Sequence, residues 1–351
     1  SNSHEAIKNL LIAIEEQAIK QNFKFNGVRK TSSQNKKDWK FIEDKFEGKE
    51  LNFNEYSLYA GTSWFFVDPR MNKTLDYLFI DEAGQVALGT TIASATCAKN
   101  LVLIGDQMQL SQPMRAKHEG YARMSSLDFV LEDNDTIPAD KGVFLNVTRR
   151  LNKKICNYIS SSFYDSRLTS DPITETRSVN LKLDPIKDEG LFYVPIEHTG
   201  CSQRSDEEAD LIEKTYNKII NKEFKFGNTK GKISAKDIMV VAPYNAQANN
   251  IRERLKKKFK EDVRVGTIDL FQGQEAKVVI ISMTTSDVES LPRHKDFFFS
   301  RNRLNVAISR AECVAIIIFN ENLLLASTSS IKEMKLMNSF CKLLKFKTNY
   351  K

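Results

Sequence analysis

The chain has 351 residues, a net charge of +7, 41% hydrophobic and 28% charged residues, and only 8 Pro and 14 Gly. That composition suits a soluble globular protein of about two domains and excludes collagen-like and low-complexity chains. Five scattered cysteines with no CxxC pair, and four histidines, exclude a disulfide scaffold, a zinc finger, an iron–sulfur site and a His-rich metal site. No apolar run is long enough to span a membrane and the N-terminus lacks a signal-peptide pattern, so a reducing, cytoplasmic setting with no membrane partner is expected. The positive excess permits a polyanionic partner without demonstrating one.

In chain order, a helix is predicted first, with Ile7, Leu10, Leu11, Ile14 and Ala18 on one face. Residues 20–57 are polar, have no clean period and read as a small insertion. Apolar runs follow at LDYLFI (75–80), LVLIG (101–105), VFLNV (143–147), LFYVPI (191–196), IMVVA (238–242), 263–268, VVIIS (278–282) and VAIIIF (314–319). Their Val and Ile content and unbroken apolar character suit parallel strands buried on both faces. A second helical face carries Ala209, Ile212, Tyr216 and Ile219. Strands alternating with helices imply an α/β fold built from βαβ units. The polar stretch EDNDTIPADK (132–141) places a boundary between a first domain, 1–138, and a second, 139–351.

Two consecutive strands end in polar groups. LDYLFIDEAGQ leads into the adjacent carboxylates Asp81 and Glu82, and NLVLIGDQMQLSQP puts Asp106 and Gln109 just past a strand. Ligands of open α/β sheets bind at that edge. A carboxylate there can hold Mg²⁺ on a nucleotide and its neighbour can orient water, whereas the plainer reading is a pair of helix-capping acids. Two decoys are set aside. GNTKGK (227–232) is one residue short of a phosphate loop and precedes a strand, so it reads as a connecting loop. The basic run RERLKKKFK (252–260) reads as a solvated helix face.

With these motifs in hand, the chain resembles superfamily 1 helicases of the 5′-to-3′ branch. DEAGQ resembles their motif II and GDQMQLSQP motif III. TRRLNKKICNYISSSFYDSRL (148–168) resembles motif IV, and VVAPYNAQANNIRERL (240–255) the next strand–helix unit. VGTIDLFQGQEAKVVIISM (265–283) resembles motif V and RNRLNVAISRAE (301–312) motif VI. The stretches GVFLNVTRRLNKKICNYISSSFYDSRLTSDP and GLFYVPIEHTGCSQRSDEEAD resemble, more narrowly, the helicase half of bacterial proteins fused to a RecB-like nuclease. The Glu275-Ala-Lys277 strand mimics a nuclease motif but falls within motif V.

The resemblance implies two RecA-like parallel-sheet domains with ATP and Mg²⁺ between them, working on single-stranded DNA or RNA, DNA being expected. Asp81 would hold the metal, Glu82 position the water and Gln109 sense the γ-phosphate. Arg150 and Arg310 would stabilise the transferring phosphoryl, Arg310 as an arginine finger. Asp106, Arg149, Gly273 and Glu275 would lie against the nucleotide. Thr148 and Arg149 replace the family's Gln and aromatic, so a guanidinium would stack on the base. Nucleic-acid contacts would come from Ser3 and His4 (SNSHEAIKNLL, motif Ia), Thr62 (YAGTSWFF, motif Ic), Pro243, Tyr244 and Thr267, at the opposite lip of the sheets. No G-x-x-x-x-G-K-S/T occurs in the 351 residues. The family's phosphate loop precedes motif Ia, where this chain starts, so the expectation is a fragment of a longer protein. Such a fragment would hydrolyse ATP poorly, and its first domain would be less stable than its second. The rival readings are a non-hydrolysing nucleic-acid clamp and the helicase module of a nuclease–helicase.

Overall fold

A computed structural model describes residues 1, 3–32, 38–46, 51–53, 55–110, 120–132, 134–260, 262–287, 300–325 and 331–348. Asn2 of motif Ia, residues 111–113 of motif III and Asp133 of the polar stretch lie outside the described residues. The chain divides into two compact units, Ser1–Asn134 and Asp135–Lys351, the division falling within the polar stretch 132–141.

Unit 1 opens with helix α1 (His4–Lys20). The Ser3 hydroxyl accepts from the Ala6 amide at 3.3 Å, and Glu5 and Lys20 lie at the ends that their charges favour. Ile7, Leu11 and Ala18 are buried, but Leu10, expected on the same face, is 40% exposed. One residue is 100° of helix, enough to carry Leu10 off the stripe. Strands β1 (Gly27–Thr31), β2 (Ile42–Phe46) and β3 (Leu58–Ala60) form a parallel sheet in the order β2-β1-β3. The stretch 20–57, expected as an insertion, therefore supplies two strands. Its polarity hides a packed site: Arg29 and Asp44 face each other in register and make two hydrogen bonds of 2.7 Å, with both side chains almost inaccessible. Trp39 donates to Asp44 at 3.1 Å and lies under the Arg29 guanidinium, while buried Glu15 of α1 accepts from the Lys40 and Phe41 amides.

The rest of unit 1 comprises α2 (Ser63–Phe66), β4 (Leu75–Ile80), α3 (Leu88–Ala95), β5 (Ala98–Leu103) and α4 (Ser126–Leu131). Strands β4 and β5 pair in parallel as a two-stranded sheet. Burial on both faces, expected here, does not hold. Leu78 and Ile80 are buried, whereas the alternating Tyr77 and Phe79 are 59% and 58% exposed. Successive side chains point to opposite faces, and only one face is covered among the described residues.

Unit 2 contains β6 (Val147–Thr148), α5 (Lys153–Phe163), β7 (Thr169–Ser170), β8 (Arg177–Val179), β9 (Gly190–Pro195) and α6 (Asp206–Ile219). It continues with β10 (Glu223–Phe226), β11 (Thr229–Lys232), β12 (Ile238–Val241), α7 (Asn245–Phe259), β13 (Arg264–Gly266) and β14 (Ala276–Ser282). Helix α8 (Arg301–Ser309), β15 (Ala311–Phe319) and α9 (Ile331–Leu343) complete it. Its core is a fully parallel sheet in the order β13-β12-β14-β15-β9. Val314, Ile316 and Ile318 pack with Ala209, Ile212, Ile219, Ile251 and Leu255 of α6 and α7. On the other face Tyr193 stacks on Phe319 at 4.0 Å between ring centres, and Phe340 of α9 meets Phe319 edge-on. Both faces are covered, as parallel strands require.

Two apolar runs differ from expectation. In the run 143–147 only Val147 is in a strand, which extends to Thr148 and pairs with β7, and Val143 and Leu145 are exposed. The run 263–268 gives a three-residue strand because Ile268–Phe271 forms a 3₁₀ turn. The GNTKGK decoy is the β10–β11 hairpin, whose two-residue turn starts at Gly227 with φ +57°. On the basic run, Arg254 pairs with Asp206 and Asp210, and Lys258 with Glu213, all on α6.

Candidate nucleotide and nucleic-acid sites

In unit 1 the loops after β4 and β5 touch backbone to backbone. A Cβ at Gly84 would lie 2.8 Å from the Asp106 carbonyl oxygen, and one at Gly105 2.8 Å from the Ala83 nitrogen. The two glycines thus bring the Asp81–Glu82 turn against the Asp106–Gln109 turn. Asp81 accepts from the Glu82 amide at 3.0 Å, and Glu82 adopts a left-handed backbone with φ +56°, an uncommon state for a non-glycine residue. Gln85 reaches the Glu82 carboxylate at 3.4 Å, and Asp106 accepts from the Met108 amide at 2.9 Å. Asp81, Glu82, Asp106 and Gln109 are all half-buried. Among the described residues no three His, Cys, Asp or Glu side chains form a metal cage. The donors fit Mg²⁺ on a nucleotide, since that ion takes one or two carboxylates and completes its shell with phosphate oxygen and water.

The second cluster lies at the amino edge of the unit 2 sheet. Glu275 and Arg310 immediately precede the paired strands β14 and β15. Arg150 donates to Glu275 at 2.7 Å, and Arg177 donates to the Arg150 carbonyl at 3.1 Å and lies 3.4 Å from Glu312. Burial, reinforced by the Glu275 charge, pushes the Glu312 carboxyl up. Arg310 is 3% exposed, donating to the carbonyls of Val306 at 3.2 Å and Gln274 at 3.1 Å. Arg150 is thus held by a carboxylate, and Arg310 is buried against backbone carbonyls. Arg149 is 86% exposed beside Asp171, and Gly273 has φ +71° with open space around it.

The third cluster lies at the opposite, carboxyl edge of the same sheet. Pro243 and Tyr244 follow β12, and Thr267 follows its neighbour β13. In unit 2 strand direction thus separates Glu275 and Arg310 from Pro243, Tyr244 and Thr267. In unit 1, Thr62 follows β3 of the three-stranded sheet and Asp81 follows β4 of the two-stranded sheet. There Ser3 caps α1, His4 is exposed in its first turn, and Thr62 starts α2 without a capping bond from its hydroxyl.

A family described as AAA domain matches residues 125–322. This chain belongs to that AAA-domain family. The DNA polymerase alpha-associated DNA helicase A of Schizosaccharomyces pombe is 30% identical over 262 residues, covering 71% of this chain and 38% of that protein. Its counterpart in Saccharomyces cerevisiae is 28% identical over 272 residues, covering 72% and 39%. The solved complex of the arterivirus nonstructural protein 10 helicase with DNA aligns with 90% of this chain and 52% of that one, at 14% identity and a TM-score of 0.45. The chain therefore spans under two-fifths of the two curated relatives. No helix among the described residues is long and apolar enough to cross a membrane.

Sequence reasoning missed Arg177, which holds the Arg150 loop, and a buried network around Glu208, His198 and Gln247 at the carboxyl edge. Arg177 opens a three-residue strand in a polar stretch, with no motif around it. Glu208 was hidden by its place in the first turn of a helix, where acids are ordinary.

Proposed function

We propose that this helicase-family chain belongs to an ATP-dependent motor that translocates on single-stranded nucleic acid, DNA being the expected track. The observation that carries the reading is in unit 2, where the arginine-rich cluster and the Tyr244–Thr267 loops occupy opposite edges of one rigid sheet. A change at one edge can thus be passed to the other through the strands. Asp81 is the group to hold Mg²⁺, Glu82 to orient water and Gln109 to sense the terminal phosphate. Bound Mg²⁺ would neutralise charge on the phosphates. Arg150 must exchange Glu275 for phosphate, and Arg310 must leave the Val306 and Gln274 carbonyls, so both guanidinium groups start from a held state. Asp106, Arg149, Gly273 and Glu275 are assigned to the nucleotide, and Ser3, His4, Thr62, Pro243, Tyr244 and Thr267 to the strand. A cytoplasmic setting and a nuclease domain in the same polypeptide accompany this reading.

The test is ATP turnover, with and without single-stranded DNA, by this chain and by one extended upstream through a phosphate loop. We expect strand-stimulated turnover only in the extended chain, with Arg310→Ala lowering it by roughly 10³-fold or more, the range for an arginine finger. A folded, extended chain that binds DNA without turnover would favour the clamp. That second reading has one observation behind it: the buried Arg310 is already satisfied by backbone carbonyls.

A further inference from the structure

The segment Gly61-Thr-Ser-Trp-Phe-Phe66 turns from β3 into α2 and puts three aromatic residues in a row. Three consecutive residues span about 200° of a helix, more than one buried stripe covers. Phe65 and Phe66 are the buried pair, 5.1 Å apart between ring centres, and Phe65 lies 6.5 Å from Tyr59 of β3. A Cβ at Gly61 would meet the Phe65 ring at 2.8 Å, so glycine lets the turn approach that ring. The helix is thus pinned through its last two residues. Trp64 is left 85% exposed, with no hydrogen bond or ring contact among the described residues. Positive charge stands at the same edge. Strands β1, β2 and β3 are parallel, and Lys30 and Lys45 lie in register near the carboxyl ends of β1 and β2. Lys45 is paired with Glu43 on its own strand at 2.8 Å, whereas the Lys30 ammonium lies 5.4 Å from the centre of the Phe65 ring, next to Trp64 in the chain.

We infer that Trp64 is a stacking platform for a base of single-stranded nucleic acid, with Lys30 beside it to meet a backbone phosphate. This deepens the proposed function and rests on the assignment of Thr62 to the strand. The motif that supplies Thr62 supplies Trp64 two residues later, and the Thr62 hydroxyl makes no capping bond to α2. An indole offers a flat apolar face that any base can cover, and a neighbouring cation suits the phosphate that joins it to the next. A nucleic-acid strand fits this place better than an apolar protein surface. Such a surface would strip water from the Lys30 ammonium without an opposite charge to meet it, and a phosphate supplies that charge.

The test is fluorescence anisotropy of a labelled oligothymidylate and of an abasic strand of equal length. Both are titrated with this chain and with one extended upstream, as wild type, Trp64→Ala, Trp64→Phe and Lys30→Gln, each checked by circular dichroism. Loss of one stacked base weakens binding about fivefold to a hundredfold. That loss is expected for Trp64→Ala on oligothymidylate alone. Trp64→Phe should recover most of it, and the abasic strand should bind wild type and both Trp64 variants equally. Lys30→Gln should weaken both strands and lower the log–log salt slope by about 0.7; an unchanged slope strikes Lys30 from the site. The chain has two tryptophans, and Trp39 packs against Arg29, so acrylamide should quench mainly Trp64 and oligothymidylate should protect it. An equal loss on both strands in Trp64→Ala would mark a merely structural residue and overturn the inference. Wild-type affinity of Trp64→Ala for oligothymidylate would overturn it too, and leave the proposed function standing. Shielding of Trp64 in the extended chain before any strand is added, read as the difference from Trp64→Phe, would assign the indole to packing within the protein and overturn it as well. Should neither wild-type chain bind oligothymidylate, the reading beneath fails and the inference with it.

Discussion

Phe79 in β4 and Ile316 in β15 are large apolar residues in the middle of parallel strands, and the runs around them, LDYLFI and VAIIIF, read alike. Phe79 is 58% exposed and Ile316 is inaccessible. The difference lies in what surrounds each strand. Strand β15 has β14 on one side, β9 on the other and helices over both faces. Strand β4 has one partner among the described residues, β5. An apolar run thus records the environment a strand suits, and only neighbouring elements supply it. Unit 1 instead buries a charged pair, Arg29 and Asp44, against Trp39.

The comparison can be broken in three ways. The largest effects are expected from substitutions at these centres. Asp44→Ala strands a buried guanidinium and should cost about 3–5 kcal/mol; Ile316→Ala opens a cavity and should cost about 2–5 kcal/mol. Phe79→Ala, at a largely exposed position, should stay within about 1 kcal/mol. Urea denaturation followed separately in each unit measures all three, and an equal cost for Phe79→Ala and Ile316→Ala would erase the contrast. Next comes hydrogen exchange. Amides of β14 and β15 should exchange only by global opening of unit 2, whereas those of β4 and β5 should exchange markedly faster; uniform protection across both units would count against the weaker first unit.

The smallest effect concerns acid. Asp68 accepts from the Arg70 side chain and from its amide, which lower its carboxyl from 3.8 to about 2. A depressed carboxylate stabilises the fold above its unfolded value and loses that contribution as pH falls through about 2. Because the pair lies near the surface, its contribution should be below about 1 kcal/mol. Asp68→Asn should flatten the fall of the unit 1 melting temperature between pH 4 and 2, and an unchanged slope would show that other carboxylates govern it.

Much of the architecture was legible because it depends on local pattern. Ile212, Tyr216 and Ile219 lie on the buried face that their spacing predicts, and β9, β12, β14 and β15 fall on their apolar runs. Asp81, Glu82, Asp106 and Gln109 could be found because strand ends are where parallel sheets present side chains. Strands β1 and β2 were not legible, because Arg29 and Asp44 carry charge into a buried position and cancel the apolar signal on which such a reading depends. Nor could sequence show that Arg310 is buried or that Glu208 is buried against the Thr284 amide. Those outcomes turn on which carbonyls, amides and hydroxyls the fold brings within 3 Å.

The sequence by itself pointed to a family through the resemblance of its motifs, and it determined the alternation of strands and helices and the candidate carboxylates through residue type and spacing along single segments. Tertiary structure alone decided which apolar strands are covered, which arginines are held and by what, and how a glutamate in the first turn of α6 comes to bind the Thr284 amide beyond β14. The physical reason is that burial and hydrogen bonding of a charged group depend on partners far away in the chain, here 76 residues from Glu208 to Thr284 and 125 from Arg150 to Glu275.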